Sequence, residues 1–255
     1  MTSGFKDHFS TQSSHYQRYR PGYPTVLFEW LANQTPQHTL TWDCATGNGQ
    51  AAQALANFFD KVIASDASAQ QIAQCPTHPG VAYQVASAEQ APLADASVDL
   101  ITVAQALHWF DQSVFYCQAW RVLKDKGVLA VWSYNLLSIA PLIDAIVNHY
   151  YHDIVGSYWP PERRLVEQGY AALPAPFSEL QTPAFAMTAH WTLGELLGYL
   201  GTWSASVYYA KARQHDPLSR IRDALAQVWG DPAQRYTVHW PLQIRVGIKR
   251  KNVCY

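Results

Sequence analysis

The run Trp42-Asp43-Cys44-Ala45-Thr46-Gly47-Asn48-Gly49 sets two glycines between a stretch of strand-forming residues and the start of a helical one. Glycine lets a backbone turn sharply and come close to a ligand, and the helix behind it offers free N–H groups and the positive end of a dipole. About twenty residues past the glycines stands Asp66, followed by Ala67, at the end of a second strand-like run. That is where an acidic side chain meets a ribose in nucleotide-binding α/β folds. A third group, Gln105-Ala106-Leu107-His108-Trp109, follows another apolar run. His108 is the residue type that moves a proton near neutral pH, and Trp109 beside it offers a flat apolar wall. A satisfied buried histidine and a tight turn with no ligand are the plainer readings of the same residues.

Such groups converge only if strands and helices alternate between them. Hydrophobic spacing predicts strands over 39–45, 61–66, 81–87, 98–106 and 128–134, with helices over 24–33 and 49–59, a third opened by the Ser68/Gln71 capping box, and a fourth from Asp111 to Lys124. Five β/α units in a row predict a parallel sheet covered by helices. From Leu136 the pattern changes, because Pro141, Pro160, Pro161, Pro174 and Pro176 punctuate segments rich in Tyr and Trp. The chain is therefore divided into an N-terminal cover plus ligand-binding core over 1–135, a substrate-side cap over 136–236 and a closing strand with tail over 237–255. Within the cap, a returning strand is expected over 183–190 and helices over 193–209 and 218–229; the closing strand is expected over 237–248. Tyr158, with Tyr150, Tyr151 and Trp159, supplies aromatic surface that packs the cap or walls a pocket. Arg163, in Glu162-Arg163-Arg164, is either part of a solvated helix start or a clamp for a carboxylate.

Composition narrows the partners. A chain that is 49% hydrophobic with 10 Trp and 15 Tyr can bury a sizeable core and still line a pocket. Its net charge is −1, and the one basic run, Lys249-Arg250-Lys251, reads as a solvated tail. A nucleic-acid partner is disfavoured, since phosphate neutralisation needs a clustered basic face. Cys44, Cys75, Cys117 and Cys254 have no spacing suited to zinc, so no metal is expected and reduced thiols in the cytoplasm fit best. The polar start of the chain and the lack of a long apolar stretch point away from a signal peptide or membrane span. A small-molecule partner and a monomer or homodimer are expected.

Gly47-x-Gly49-x-x-Ala52 also satisfies the dinucleotide pattern of NAD(P)-dependent oxidoreductases. Asp43 tilts the choice: an anion at the strand tip repels a pyrophosphate but accepts from the ammonium of a methionine moiety. Here the sequence resembles the class I S-adenosylmethionine-dependent methyltransferases (methyltransferase type 11 domain), whose first motif is D-x-G-x-G-x-G, with Ala45 in place of the first glycine. The resemblance runs on through Asp66, through Ser87-Ala88-Glu89-Gln90-Ala91-Pro92-Leu93 and through Val98-Asp99-Leu100. It implies an α/β, Rossmann-like fold: a mostly parallel seven-stranded sheet with helices on both faces and a helical cap. It also implies S-adenosyl-L-methionine as cofactor, held by Asp43, Ala45, Gly47, Gly49, Asp66 and Ala67. Ser87 replaces the aspartate that often holds the adenine amino group, so that contact passes to Ala88 and Glu89. The stretches Tyr16 to Pro24 and Gln105 to Asp111 look like a branch related to trans-aconitate methyltransferases. This implies an N-terminal segment folded over the cofactor through Tyr19 and Arg20, a cofactor contact at Gln105, and acceptors that in some cases are carboxylic acids methylated on oxygen. Trp109, Tyr158 and Arg163 would then face the acceptor and His108 would be catalytic. A carboxylate needs no base, whereas a hydroxyl gains from His108 taking its proton. A non-catalytic protein that keeps the fold is the remaining alternative.

Overall fold

The computed structural model describes residues 21–171 and 177–250. Tyr19 and Arg20 lie outside the described residues. Five parallel strands come first: β1 (Leu40–Cys44), β2 (Lys61–Asp66), β3 (Val81–Val85), β4 (Val98–Ala104) and β5 (Leu123–Tyr134). Between them run α1 (Thr25–Ala32, ahead of β1), α2 (Gln50–Leu55), α3 (Ala69–Gln74) and α4 (Gln112–Val122). The Ser68 hydroxyl accepts from Gln71 N and the Asp111 carboxylate from Val114 N, so both expected caps open their helices. After β5 follow α5 (Pro141–His149), a π-helical turn (Tyr150–Ile154), α6 (Arg163–Glu167), β6 (Ser178–Glu179), β7 (Phe185–Trp191), α7 (Leu193–Gly201), α8 (Ser204–Arg213), α9 (Arg222–Trp229) and β8 (Tyr236–Ile248).

The sheet order is β3-β2-β1-β4-β5-β8-β6, with β7 also on β8. From β1 the chain winds outward through β2 and β3, then crosses to β4 and β5 on the other side. That reversal lies between β1 and β4, where Thr41 pairs with Leu100 and Asp43 with Thr102. Open α/β sheets place ligands in the crevice at such a point, outside the carboxyl ends of the strands. Eight strands stand where seven are expected, and the eighth is a break. Ser178 and Glu179 pair with Ile248 and Gly247, and Phe185 to Trp191 pair with Leu242 down to Tyr236. Both pieces follow the edge of β8 opposite β5, and the residues between them include Pro183, which has no N–H to give a ladder.

Alternation along the strands feeds two cores, one on each face of the sheet. Val62, Ala64, Leu100, Val128, Ala130 and Trp132 face α1, α2 and the helices after β5. Ile63, Ile101, Val103, Leu129 and Val131 face Phe115, Ala119 and Val122 of α4 and Val166 of α6. Three expectations shift in detail. The helix over 49–59 ends as α2 at Leu55, and the one over 193–209 divides at Thr202 and Trp203. Lys249 is no solvated tail residue: its Nζ donates to Trp120 O at 2.6 Å and Leu123 O at 2.7 Å and lies over the Trp120 ring. A lysine there satisfies carbonyls left open at the end of α4.

Candidate active site

The loop after β1 is built around backbone conformations that favour glycine. Ala45 has φ +56°, Gly47 +57° and Gly49 +81°. The one departure from the glycine pattern therefore sits at a left-handed residue, where a Cβ costs roughly 1–2 kcal/mol. A Cβ on Gly47 would meet nothing within 4 Å, so this glycine looks onto open space. At Gly49 the limit is internal, because a Cβ there would lie 2.7 Å from the Tyr83 hydroxyl of β3.

Two carboxylates frame the loop. Asp66, at the tip of β2, accepts from Gly47 N and Ser68 N, each at 2.9 Å. It is 9% exposed and lies beside Gly47. Asp43, at the tip of β1, is 1% exposed and accepts from Thr46 Oγ1 at 2.5 Å and Thr102 Oγ1 at 2.7 Å. It thus braces the loop against β4. Burial pushes its carboxyl up to about 6 against the opposing pull of the two threonines, and the charge of Asp66 adds to the rise. The Cys75 thiol rests on Gly47 O at 3.3 Å, and burial pushes it up to about 11. Ala67 is exposed beside Asp66, and Ala88 is buried. Glu89 Oε1 accepts from Asp111 N at 3.0 Å, which ties the loop after β3 to the start of α4.

Across the crevice, Gln105 (φ +57°) ends β4 and turns its amide onto β5, donating to Tyr134 O at 3.0 Å and accepting from Tyr134 N at 3.3 Å. That pairing releases the chain into a 3₁₀ turn (Leu107–Trp109) that carries His108. His108 Nδ1 lies 3.0 Å from the Tyr170 hydroxyl, the two rings stacked, with Trp109 against the imidazole at 4.5 Å between ring centres. Burial, helped by the positive charge of Arg163, pushes His108 down to about 3, so the ring is neutral at physiological pH. Trp109 is 37% exposed and forms an open rim.

The reading of Arg163 as part of a solvated helix start gives way to a built position. Its guanidinium lies over the Trp159 ring at 4.9 Å, and its Nε donates to the Tyr151 hydroxyl at 2.9 Å. The Tyr151 hydroxyl in turn donates to Glu167, and Asn135 Oδ1 lies 3.4 Å from an Arg163 nitrogen. No acidic side chain stands within ion-pair distance of Arg163 among the described residues. Tyr151 comes from the π-helical turn, a distortion frequent at functional sites. Tyr158 turns elsewhere: its hydroxyl accepts from Arg213 at 2.8 Å and its ring meets Tyr209. Sequence reading missed Tyr170, Glu167 and Asn135. Tyr170 follows Gly169 at φ +59°, and Gly169-Tyr170 was the one local mark of that turn.

A ligand with a ribose diol and a charged amino-acid end suits these groups, because Asp66 is a carboxylate acceptor beside an open glycine and Asp43 adds negative charge behind the loop. Among the described residues no group of three His, Cys, Asp or Glu side chains is placed to hold a metal, and no helix is long and apolar enough to cross a membrane.

Comparison with known proteins gives the family and the fold. Residues 42–131 match the family described as a methyltransferase domain. A protein of Dictyostelium discoideum named as a methyltransferase is 34% identical over 229 residues, which is 88% of this chain and 87% of that one. A solved structure from Anaeromyxobacter dehalogenans, described as a type II methyltransferase, is 43% identical with a TM-score of 0.86, and covers 90% of this chain and 98% of its own. A Mycobacterium tuberculosis protein named as S-adenosylmethionine-dependent is 31% identical over 129 residues, 49% of this chain and 46% of that one.

Proposed function

From the premise that the chain belongs to the methyltransferase family, we propose that it moves the methyl group of S-adenosylmethionine to an oxygen of a small carboxylic acid. The observation that carries this reading is the pairing of two unlike half-sites across the β1/β4 crevice. One side is the Asp66 carboxylate bonded to Gly47 N; the other is the neutral His108 with Arg163, a cation that has no acidic partner among the described residues. When bound, the cofactor supplies the activated methyl group; the protein supplies position, charge and exclusion of water.

Asp66 would hold the ribose, the turn Ala45 to Gly49 would let the backbone approach it, with Ala67 alongside, and Ala88 and Glu89 would flank the base. Asp43 would favour the ammonium through its charge, and Gln105 would shape the wall between cofactor and acceptor. Arg163 would pair with the acceptor's carboxylate, with Trp109 as an apolar wall; Tyr158, bonded to Arg213, has no part in this arrangement. The N-terminal residues Tyr19 and Arg20 would close over the cofactor, and residues 136–236 would act as the cap. This is the arrangement expected of a branch like the trans-aconitate methyltransferases, in a cytoplasmic monomer or homodimer with no nucleic-acid or membrane partner.

S-adenosylhomocysteine should raise the melting temperature while NAD leaves it unchanged, since a ligand of the folded state stabilises it. A screen with labelled cofactor against small carboxylic acids and phenols then reads the acceptor. Transfer to acids supports the reading; transfer to phenols alone, or no stabilisation by S-adenosylhomocysteine, overturns it.

A further inference from the structure

Tyr170 is not among the residues that the sequence marks for chemistry, yet it is held at several points. It is 1% exposed. Its backbone sits in the left-handed region directly after Gly169, which is also left-handed, and its carbonyl accepts from Arg245 at 2.6 Å. Its amide donates to Leu165 O at 2.9 Å. The turn after α6 is thus pinned at both ends of one residue, and the result is a hydroxyl 3.0 Å from His108 Nδ1.

We propose that Tyr170 is a positioning residue that donates its hydroxyl proton to His108 Nδ1, holds the ring proton on Nε2, and so makes His108 a hydrogen-bond donor to the methyl acceptor instead of a base. Counting donors decides the direction. The Tyr170 hydroxyl has His108 as its one hydrogen-bond partner among the described residues. If Nδ1 kept the proton, the phenol hydrogen would have no acceptor and a buried donor would stay unpaired, the costly arrangement. If the phenol donates, its proton is satisfied, and the remaining N–H is on Nε2, at the far side of the ring from Tyr170. The groups that face this pair are consistent with a neutral ring. Arg163 is cationic and opposes a second proton, Trp109 is apolar, and burial keeps the Tyr170 phenol protonated far above neutral pH. An Nε2–H, with the positive charge of Arg163 near the ring, offers a donor and a cation, which suits an oxygen that is already anionic.

This inference rests on the reading of His108 as an acceptor-side residue, but its test does not need the acceptor. In the full-length protein labelled with nitrogen-15 at histidine, and with His108→Gln used to assign the signal, the two ring nitrogens report the tautomer directly. The expected spectrum has Nδ1 far downfield, as an unprotonated nitrogen, and Nε2 upfield, as a protonated one, unchanged between about pH 5 and about pH 8. Tyr170→Phe, nearly isosteric, should move both signals toward each other as the tautomers mix. A native spectrum with the proton on Nδ1 overturns the proposal, and so does a Tyr170→Phe spectrum identical to the native one. Should Tyr170→Phe fail to fold, the native spectrum still decides. S-adenosylhomocysteine stabilisation measured on the same sample separates the two failures: its loss bears on the methyltransferase site, whereas a wrong tautomer with binding intact bears on Tyr170 alone.

Discussion

Replacing Asp43 with asparagine should remove a pH dependence of stability that the native residue creates. Burial is the main influence on this carboxyl, the hydroxyls of Thr46 and Thr102 oppose it, and the outcome is a rise from 3.8 to about 6. In the unfolded chain the group is solvated and titrates near its ordinary value. Between those two values the folded state binds more protons than the unfolded one. Stability is therefore fullest at the acid end of this window, falls as pH rises through it, and is level above about pH 7. At about 1.36 kcal/mol per pH unit the fall amounts to about 3 kcal/mol. Asparagine keeps the shape without the charge: its oxygen accepts from one threonine and its amide donates to the other. Urea unfolding of both proteins from about pH 3 to about pH 8 checks this. The variant should gain about 3 kcal/mol relative to the native chain across the range, with equal m-values. Parallel pH curves for the two proteins would refute the reasoning, because Asp43 would then titrate in the folded state as it does in the unfolded one.

Asp66→Ala should weaken S-adenosylhomocysteine binding by roughly 1.5–3 kcal/mol, the range for hydrogen bonds to a charged group, and calorimetry showing native affinity would move the ribose elsewhere. Ala45→Gly should raise stability by about 0.5–1 kcal/mol, because it relieves a Cβ at φ +56°; a lower melting temperature would contradict that. Gly49→Ala should destabilise by about 2–4 kcal/mol through its φ of +81° and the 2.7 Å contact with the Tyr83 hydroxyl. Adding Tyr83→Phe should recover part of that loss, and strictly additive losses in the double-mutant cycle would exclude the contact as its source. His108→Ala should lower turnover of an identified acceptor while S-adenosylhomocysteine affinity stays near native, and full turnover would remove His108 from the mechanism.

The residues proposed to hold the cofactor were legible because their spacing is local. Asp43, Gly47 and Gly49 lie within one turn of chain, and Asp66 follows at the spacing of one β/α/β unit, so strand and helix periods place them without long-range information. The residues proposed for the acceptor were legible only in part. His108 could be set at a strand end, but Tyr170 is 62 residues away and joins it through a turn whose conformation depends on Arg245 of β8. Nothing in the spacing of Glu162-Arg163-Arg164 shows that Trp159 and Tyr151 will receive the guanidinium. The break that divides the edge strand into β6 and β7 was likewise hidden, since a prolyl residue marks where a ladder fails only once the partner strand is known. Lys249 shows the same limit: a charge run reads as solvated until the carbonyls it meets, at Trp120 and Leu123, are in place.

The position of β8 also governs how the protein can be made. β5 ends at Tyr134, and the strand that closes its free edge starts at Tyr236, about a hundred residues later. At roughly 5–20 residues per second, a growing chain carries β5 with its outer row of N–H and C=O groups open for roughly 5–20 seconds. β7 emerges in the same interval, and it too pairs with β8. Both are templates for pairing with a neighbouring chain until β8 slides between them. A ribosome that pauses between those points holds an intermediate with two adhesive edges, so the pace of synthesis bears on yield separately from the stability of the finished fold.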